Sequence, residues 1–311
     1  MAIVHIAGLV KRYKELLALD GLDLDIEQGE LFGLLGPNGS GKTTAIHCIV
    51  QLLTYDQGTI ELFGEPMSPT RYDLKRRIGI VPQNVAVFPE LTVRENIDYF
   101  CSLYVDSKSE RARLTGEAIE LVGLEDYRKF RPKKLSGGLL RRLNIACGIA
   151  HRPELIFFDE PTVAVDPQSR NAILEGIQRL NEAGSTVVYT SHYMEEVDQI
   201  CTRLMIMDKG QSIALGTSAE LKKKVGLGER VQIELAAPSE ALVATVKALP
   251  VTTAAELQAN QLSVTCRPGA HNLATLLDAL ERAGAAYGRV YSEPPTLNDV
   301  FLEITGKELR D

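Results

Sequence analysis

Gly36-Pro37-Asn38-Gly39-Ser40-Gly41-Lys42-Thr43 follows a short apolar run, Leu31 to Leu35, and precedes a stretch compatible with a helix. The spacing G-x-x-x-x-G-K-[ST] between a strand and a helix is typical of a phosphate-binding loop. Its glycines let backbone N–H groups curve around phosphate oxygens, and the dipole of the following helix adds positive charge there. Lys42 is expected to reach the β- and γ-phosphates, and the Thr43 hydroxyl to bind Mg²⁺. The alternative is a chance glycine turn with Lys42 in solvent.

A second segment, Leu155-Ile156-Phe157-Phe158-Asp159-Glu160, consists of four apolar residues that end in two acids. In a protein with a phosphate loop, a carboxylate at the end of a neighbouring buried strand can hold Mg²⁺, a role that we predict for Asp159. Glu160 is then placed to orient, or take a proton from, the water that attacks the γ-phosphate. Without the phosphate loop, such a pair is more often a solvated strand end.

Strand and helix patterns alternate along most of the chain, which predicts an α/β fold with a mainly parallel, doubly wound sheet. An antiparallel β subdomain is expected at the start, because Ile3 to Leu9 and Leu22 to Ile26 alternate between apolar and polar residues. A helical subdomain is expected from about residue 89 to 150. Its first helix is predicted to begin at Thr92-Val93-Arg94-Glu95, which has the spacing of a capping box.

The pattern changes after Gly216, which predicts a separate small module. Val231 to Leu235, Leu262 to Cys266 and Val290-Tyr291 have strand character, with helix-like stretches between them. The predicted order is strand, helix, strand, helix, strand. We therefore predict an ATP-binding domain over residues 1–225 and a small α/β accessory domain over residues 226–311.

Composition excludes several classes of protein. The 311 residues have a net charge of −7 and no apolar run near the roughly 20 residues of a membrane-spanning helix. The acidic balance argues against a general nucleic-acid surface, so no nucleic-acid partner is expected. The chain starts without a secretory signal pattern, and its five cysteines are widely spaced, which indicates reduced thiols in the cytoplasm.

Leu135-Ser136-Gly137-Gly138, which precedes a helix-like stretch, resembles the signature of the ATP-binding cassette (ABC) family. Ser136 can also cap that helix while its hydroxyl and the glycine N–H groups form an anion site. A plain helix cap is the alternative for four residues taken alone. The other motifs of the family follow in the expected order, and the resemblance covers roughly residues 1–220.

The resemblance implies roles for four more residues. Tyr13 is similar to the aromatic residue that stacks on adenine, and Gln83 to the glutamine that contacts Mg²⁺ and water near the membrane partner. Asp166 is similar to the aspartate that communicates between paired cassettes, and His192 to the histidine on the γ-phosphate. Three of them also have a plain alternative: a surface or packing tyrosine for Tyr13, a helix cap for Asp166 and a structural role for His192.

The predicted site therefore has three groups of residues. Those for catalysis are Glu160, His192, Gln83 and Lys42; those for the metal are Thr43, Gln83 and Asp159; those for the nucleotide are Tyr13, Gly36, Pro37, Asn38, Gly39, Ser40, Gly41, Lys42, Thr43, Thr44, Ser136, Gly137, Gly138 and Asp166. The chain departs from the family at Leu139 and Leu140, where polar residues are common, and at Ala164, where glycine is common.

The resemblance implies an ATPase that uses ATP and Mg²⁺, pairs with an identical or related cassette, and drives a separate integral membrane permease from the cytoplasmic face. Ser136 and Gly138 would complete the site of the opposite subunit. The ending from Asn298 to Lys307 looks like that of bacterial cassettes that serve drug, antibiotic, natural-product or polysaccharide exporters. Export is the main hypothesis. An importer ATPase and a cassette protein acting on ribosomes without a membrane partner remain the alternatives.

Overall fold

The computed structural model describes residues 2–226, 228–269 and 271–306. Contacts divide the chain into two compact units, one ending at Thr217 and the other beginning at Ser218. Sequence patterns place this division eight residues later, after 225. The reason for the difference is helix α8 (Ser218–Lys224), which buries Leu221 and packs against the last helix of the second unit.

The first unit opens with a four-stranded antiparallel sheet. Its strand order is β2-β1-β4-β5. The strands are β1 (Ala2–Tyr13), β2 (Leu16–Glu27), β4 (Gln57–Leu62) and β5 (Glu65–Pro66). Buried residues alternate with exposed ones along β2, so one face of this sheet covers the core. The predicted antiparallel β subdomain is confirmed.

A six-stranded sheet forms the centre of the unit, with the strand order β10-β9-β3-β8-β7-β6. Five neighbouring strands run parallel, and β10 pairs antiparallel with β9. The strands are β3 (Leu31–Leu35), β6 (Ile78–Val81), β7 (Leu155–Asp159), β8 (Thr186–Ser191), β9 (Arg203–Asp208) and β10 (Gln211–Gly216). Every residue of β3, β7 and β8 is buried, as expected when helices cover both faces of a parallel sheet.

Helices connect these strands. Those beside the sheet are α1 (Lys42–Ile49), α2 (Tyr72–Lys75), α6 (Pro167–Glu182) and α7 (Met194–Ile200). Helix α1 begins directly after the phosphate loop, so the predicted strand-loop-helix order is confirmed. Because parallel strands end at the same edge, the loops after β3, β6, β7 and β8 all lie at one edge of the sheet, where ligands of such sheets bind.

The predicted helical region contains α3 (Val93–Ser102), α4 (Lys108–Leu121) and α5 (Gly137–Ile149). Thr92 caps α3 through the predicted capping box with Glu95. These helices have a hydrophobic core of their own, in which Ile97 and Ile119 pack with Leu143. The helical region therefore packs around its own hydrophobic core.

The second unit is a four-stranded antiparallel sheet with helices, in the strand order β12-β13-β11-β14. Its elements are β11 (Arg230–Leu235), α9 (Glu240–Lys247), β12 (Thr252–Gln258), β13 (Gln261–Cys266), α10 (Asn272–Arg282), β14 (Tyr287–Glu293) and α11 (Leu297–Thr305). Strand β12 is missing from the sequence prediction because its alanine and glutamate residues have low strand propensity. As an edge strand, it is held by pairing with β13.

Helix α11 also lies outside the predicted order of the accessory module. Thr296 caps it, and the Asp299 carboxylate accepts from the Thr296 backbone N–H in return. This reciprocal pair is a capping box, so the helix start was readable from the sequence. None of the described helices is both long and apolar enough to cross a bilayer. All five cysteines have free thiols, as predicted.

Candidate active site

The phosphate loop joins β3 to α1 in a tight conformation. Gly41 has φ 108°, and a Cβ atom there would lie 2.7 Å from the Ala18 carbonyl oxygen of β2. The Ser40 N–H donates to the Pro37 carbonyl at 3.1 Å, and the Ser40 carbonyl accepts from the Gly210 N–H at 2.9 Å. Glycine is required at position 41 because the backbone is left-handed and the neighbouring strand leaves no room for a side chain.

Lys42 lies inside this loop and is almost fully buried, with 4% of its surface exposed. Its Nζ donates to the Gly36 carbonyl at 2.7 Å and to the Pro37 carbonyl at 3.1 Å, and it lies 3.4 Å from Glu160 Oε1. Burial lowers the pKa of Lys42, and the nearby Glu160 carboxylate opposes that shift. A buried ammonium group held by carbonyls is a suitable partner for phosphate oxygens.

The Thr43 hydroxyl donates to Asp159 Oδ1 at 3.0 Å, which joins the start of α1 to the end of β7. The Thr190 hydroxyl of β8 donates to the same oxygen at 2.9 Å. A hydroxyl and a carboxylate are hard oxygen ligands, and Mg²⁺ is usually held by one or two carboxylates together with substrate phosphates. The two side chains therefore fit a magnesium ion bound beside phosphate oxygens.

Glu160 is at the centre of the site and is 5% exposed. Its Oε2 accepts from Gln83 Nε2 at 3.1 Å and lies 3.4 Å from His192 Nδ1, a nitrogen with no hydrogen-bond partner in the described part of the chain. Its Oε1 faces Lys42. The structure thus brings together at one edge of the sheet the four side chains predicted for catalysis.

The backbone at Glu160 is in the left-handed region, with φ 47°. Such a conformation costs about 1–2 kcal/mol for a residue other than glycine. The Glu160 N–H donates to the Thr190 hydroxyl at 2.9 Å, which holds the strained turn. Strain of this kind aims the carboxylate away from the strand direction and into the cluster.

The signature residues lie at the start of α5. The Ser136 hydroxyl caps the helix by accepting from the Leu139 N–H at 3.3 Å. Gly138 is buried, and a Cβ atom there would lie 2.7 Å from Ser169 Cβ and 3.1 Å from Asp166 Oδ2. Asp166 caps α6 by accepting from the Ser169 N–H at 2.9 Å. The signature therefore packs directly on the first turn of α6.

Tyr13 and the signature are separate from the phosphate loop. Tyr13 is at the end of β1, is 41% exposed, and has Lys11 Nζ 5.2 Å from its ring centroid. Within the described ranges 2–226, 228–269 and 271–306, no hydrogen bond or ion pair joins Tyr13 or Ser136 to residues 36–43. An exposed ring and an exposed helix start are surfaces that a nucleotide or a second subunit can reach.

The structure explains one departure from the family and shows two residues that the sequence analysis omitted. Ala164, where the family commonly has glycine, has φ 58°, so glycine suits this position because it is free of strain there. Sequence reasoning assigned no role to Thr190, which bonds the Asp159 carboxylate and the Glu160 backbone N–H, or to the buried carboxylate of Glu196. In the sequence, the feature that could have pointed to Thr190 is its position directly before Ser191 and His192.

Two family models match the chain. The first, described as ABC transporter, matches residues 19–163, and the second, described as the C-terminal domain of DrrA1-3-like ATP-binding proteins, matches residues 216–305. The linearmycin resistance ATP-binding protein LnrL of Bacillus subtilis is 38% identical over 98% of both chains. The chain belongs to the ABC transporter family. It is an ATP-binding subunit of that family, and an ATP hydrolase.

Other relatives of this ABC subunit are similar over nearly the whole length. The daunorubicin resistance ATP-binding protein DrrA3 of Streptomyces coeruleorubidus is 36% identical over 99% of this chain and 97% of its own. The Nod factor export ATP-binding protein I of Cupriavidus metallidurans is 35% identical over 100% and 99%. Each matches both units, so the relatives share the accessory domain as well as the cassette.

Solved structures agree with the fold of the first unit. The ATP-binding cassette MJ0796, described as dimeric and bound to ADP and Pi, is 28% identical with a TM-score of 0.64, covering 69% of this chain and 98% of its own. The cbiO1 protein of Clostridium perfringens, described as part of the ABC transporter complex cbiONQ, has a TM-score of 0.65 and 25% identity, covering 72% and 94%. The predicted fold class is confirmed.

Proposed function

We propose that this ABC subunit powers export through a separate integral membrane permease, by binding MgATP between two cassettes and hydrolysing it. The observation that carries the proposal is the buried cluster in which Glu160 contacts Lys42, Gln83 and His192. Phosphoryl transfer to water needs positioning and charge stabilisation, and these four side chains supply both.

Within this cluster, Glu160 has the position of the group that orients the attacking water. Its two oxygens face opposite sides, one toward Lys42 and the other toward Gln83 and His192. Lys42 would bind the β- and γ-phosphates, and His192 would hold the γ-phosphate. The backbone strain at Glu160 keeps the carboxylate aimed at this point before ATP arrives, so little reorganisation is needed during the reaction.

We assign Mg²⁺ to Thr43, Asp159 and Gln83. Thr43 and Asp159 are already in contact through a hydrogen bond, and Gln83 reaches the same edge through Glu160. Bound Mg²⁺ would supply positive charge to the phosphate oxygens. Gly36 to Thr44 would surround the phosphates, and Tyr13, which is half exposed, would stack on adenine.

The cassettes are proposed to act in pairs. The chain has one phosphate loop and one signature, and the signature helix begins at an exposed serine away from the loop of the same chain. In a head-to-tail pair, Ser136, Gly137 and Gly138 of one cassette would bind the nucleotide on the other. Asp166, which touches the signature side, would lie between the two. The dimeric structure of the MJ0796 cassette supports this arrangement for a fold of this kind.

An aromatic surface after Gln83 supports a membrane partner. Phe88 packs edge-on against Tyr99, with ring centroids 4.9 Å apart, and stacks on Phe100 at 5.8 Å. Phe88, Tyr99 and the neighbouring Leu103 are 41%, 43% and 53% exposed. Exposed apolar groups that cluster in this way mark interaction sites. We propose that a cytoplasmic segment of the permease docks here, which places the chain on the cytoplasmic face of the membrane.

Export is favoured over import by the relatives. Two of them are ATP-binding proteins of linearmycin resistance and daunorubicin resistance, and a third is a Nod factor export ATP-binding protein. We therefore propose a natural product of this kind as the cargo of the permease.

We also propose two functional domains. The ATP-binding domain is residues 1–225, with its helical subdomain at about 89–150, and the accessory domain is residues 226–311.

The test is affinity purification of the full chain from detergent-solubilised native membranes, with ATPase measurement and mass spectrometry of the bound proteins. A permease without a substrate-binding protein supports export, whereas a binding protein indicates an importer and ribosomal proteins alone overturn the membrane assignment. Tyr99→Ser with Leu103→Ser should lose the permease and keep ATP binding. The matched control is Tyr72→Ser, an exposed tyrosine elsewhere on the first unit, which should keep both.

A further inference from the structure

Glu196 is a buried carboxylate beside the proposed hydrolytic cluster, and no step of hydrolysis described above uses it. It lies on α7 and is 3% exposed. Its Oε2 accepts hydrogen bonds from three hydroxyls, those of Thr162 at 2.8 Å, Tyr189 at 2.7 Å and Ser191 at 2.9 Å. Three hydroxyl donors on one oxygen fix the orientation of this buried carboxylate.

The other oxygen of Glu196 faces a cation. Arg170 Nε lies 3.3 Å from Glu196 Oε1, and the Arg170 guanidinium carbon lies 5.0 Å from the centroid of the Tyr193 ring. The Tyr193 ring in turn packs on the His192 ring, with centroids 4.1 Å apart. A continuous set of contacts therefore runs from the carboxylate to the histidine that faces Glu160.

Among the described residues, the partners of Glu196 come from two segments. Thr162 and Arg170 belong to residues 160–170, which begin at Glu160 and contain the α6 cap Asp166. Tyr189 and Ser191 belong to the end of β8, directly before His192. The Arg170 backbone N–H donates to the Asp166 carbonyl at 2.9 Å, so Arg170 lies one helical turn after that cap.

A buried carboxylate is costly to desolvate, and a well-packed apolar group would stabilise the fold as well or better. The polar arrangement here joins two segments that carry reactive residues, which an apolar side chain could not orient in the same way. If Glu196 positions catalytic residues, its partners are expected to lie next to Glu160 and His192, as they do. A role in stability alone would not require this location.

We propose that Glu196 is a positioning residue, which sets His192 and the segment from Glu160 to Arg170 in register for ATP hydrolysis. The proposal rests on the function proposed above. The ion pair between this carboxylate and Arg170 reaches the first turn of α6, where Asp166 and the signature glycine Gly138 lie close together. Glu196 thus connects the proposed hydrolytic site with the surface that we propose for pairing with the second cassette.

The test compares Glu196→Gln with Glu195→Gln in the full chain, with its permease where turnover depends on it. Glu195 is the adjacent residue on α7 and is exposed, so it controls for loss of one negative charge. Glu196→Gln should lower kcat about 10- to 100-fold because a small displacement of catalytic groups is enough. KM for ATP should stay within about threefold, since the phosphate loop is untouched. Glu195→Gln should behave as the unchanged chain.

A second measurement separates positioning from a structural role. Single-turnover assays with radiolabelled ATP measure the rate of hydrolysis. Adding Glu196→Gln to His192→Ala should lower this rate by less than about twofold further, because the two residues act as one unit. A structural role predicts equal losses in both backgrounds, and that result would overturn the proposal. If Glu196→Gln does not fold, Tyr189→Phe removes one donor from the carboxylate and should still lower kcat about threefold or more.

These outcomes are distinct from failure of the proposed function. If the unchanged chain hydrolyses no ATP, even with its permease, then the hydrolytic assignment itself is wrong. If the unchanged chain is active and Glu196→Gln equals Glu195→Gln in kcat, only the positioning role is overturned. If Glu196→Gln does not fold and Tyr189→Phe is tested instead, full activity of Tyr189→Phe also overturns the positioning role.

Discussion

The two edges of the six-stranded sheet use charged residues in opposite ways. At the edge where the parallel strands begin, Arg77 donates two hydrogen bonds to Glu154 at 2.7 and 2.8 Å, and Arg203 donates two to Glu30 at 2.9 Å. These pairs are bidentate and partly exposed to solvent. At the edge where the strands end, Glu160 is buried beside His192, whose Nδ1 has no hydrogen-bond partner among the residues that the structure describes.

The difference shows which charges are available for chemistry. In a bidentate pair at the surface, each charge already has an opposite charge as its partner, and the pair contributes at most about 1 kcal/mol to stability. A buried group with uncommitted hydrogen-bonding capacity costs free energy in the folded chain, but it can bind or orient a ligand. We therefore expect substitutions at one edge to change activity and those at the other to change stability.

The largest expected effect is that of Glu160→Gln. The amide cannot take a proton from the attacking water, so kcat should fall on the order of 10² to 10⁴-fold, while ATP still binds and holds two cassettes together. ATPase assays, with size-exclusion chromatography in the presence of ATP, measure both properties.

The control is Glu154→Gln, the same change at the opposite edge. It should leave kcat unchanged and lower the free energy of unfolding by less than about 1 kcal/mol. Comparable loss of kcat in the two variants would break the contrast between the edges.

His151 lies at the edge where the strands begin, and it makes the stability of the folded chain depend on pH. Its ring stacks on Tyr104 with centroids 3.8 Å apart, and Nε2 lies 3.1 Å from the Ile78 carbonyl. Burial lowers the pKa of His151 from 6.5 to about 4, against the opposing effect of that hydrogen bond. Between these values the unfolded chain binds a proton that the folded chain does not. Stability should therefore fall as pH falls through this window, by roughly 2 kcal/mol between pH 7 and pH 5.

Urea unfolding at both pH values measures this fall, and His151→Gln should remove most of it. His5 has the opposite sign, because its hydrogen bond with Asp25 raises the pKa of His5. The charged form of His5 stabilises the folded chain at low pH, and this contribution disappears as pH rises through the raised pKa. His5→Gln should consequently make the fall toward pH 5 steeper. An unchanged fall in His151→Gln contradicts the assignment.

Gly138→Ala tests the close packing of the signature on α6. The added Cβ would lie 2.7 Å from Ser169 Cβ, and overpacking of this kind lowers the free energy of unfolding by about 1–3 kcal/mol. ATP-dependent pairing of cassettes should weaken as well, because the first turn of α6 must shift. Gly137→Ala is the matched control for stability, since a Cβ there meets no described atom within 4 Å and should leave the free energy of unfolding nearly unchanged. Equal stability of the two variants argues against the packing.

The smallest effect is expected at Ala164, in the loop after β7. Because Ala164 has φ 58°, replacement by glycine should relieve strain and raise the free energy of unfolding by up to about 1 kcal/mol. The same replacement at Ala172, inside α6, should lower it by about 1 kcal/mol. Thermal unfolding of both variants measures the two signs. A loss of stability in Ala164→Gly would mean that the alanine side chain makes a compensating contact.

Much of the site is readable from local spacing. The strand, glycine loop and helix around Lys42 are consecutive in the chain, and so are the apolar run and two acids that end at Glu160. Caps such as Thr92 and Ser136 act within one turn. Features of this kind need no knowledge of the rest of the molecule, because the residues that interact are neighbours in sequence.

Other features depend on pairing between distant segments. Gln83 contacts Glu160 across 77 residues, and Thr190 bonds Asp159 because these two residues are partners in the β7–β8 register. The edge strand β12 forms because β13 pairs with it, although its own residues disfavour a strand. None of these contacts has a signature in local spacing.

Local residue patterns were therefore enough to identify the fold class, the phosphate loop and the candidate acids. Only the tertiary structure places Glu160 in a left-handed turn, gives Ala164 its strained backbone and surrounds the Glu196 carboxylate with three hydroxyls. The physical reason is that short-range turns, caps and periodicity depend on residues close in sequence. Burial and hydrogen bonding of a charge depend on which strands and helices meet in space.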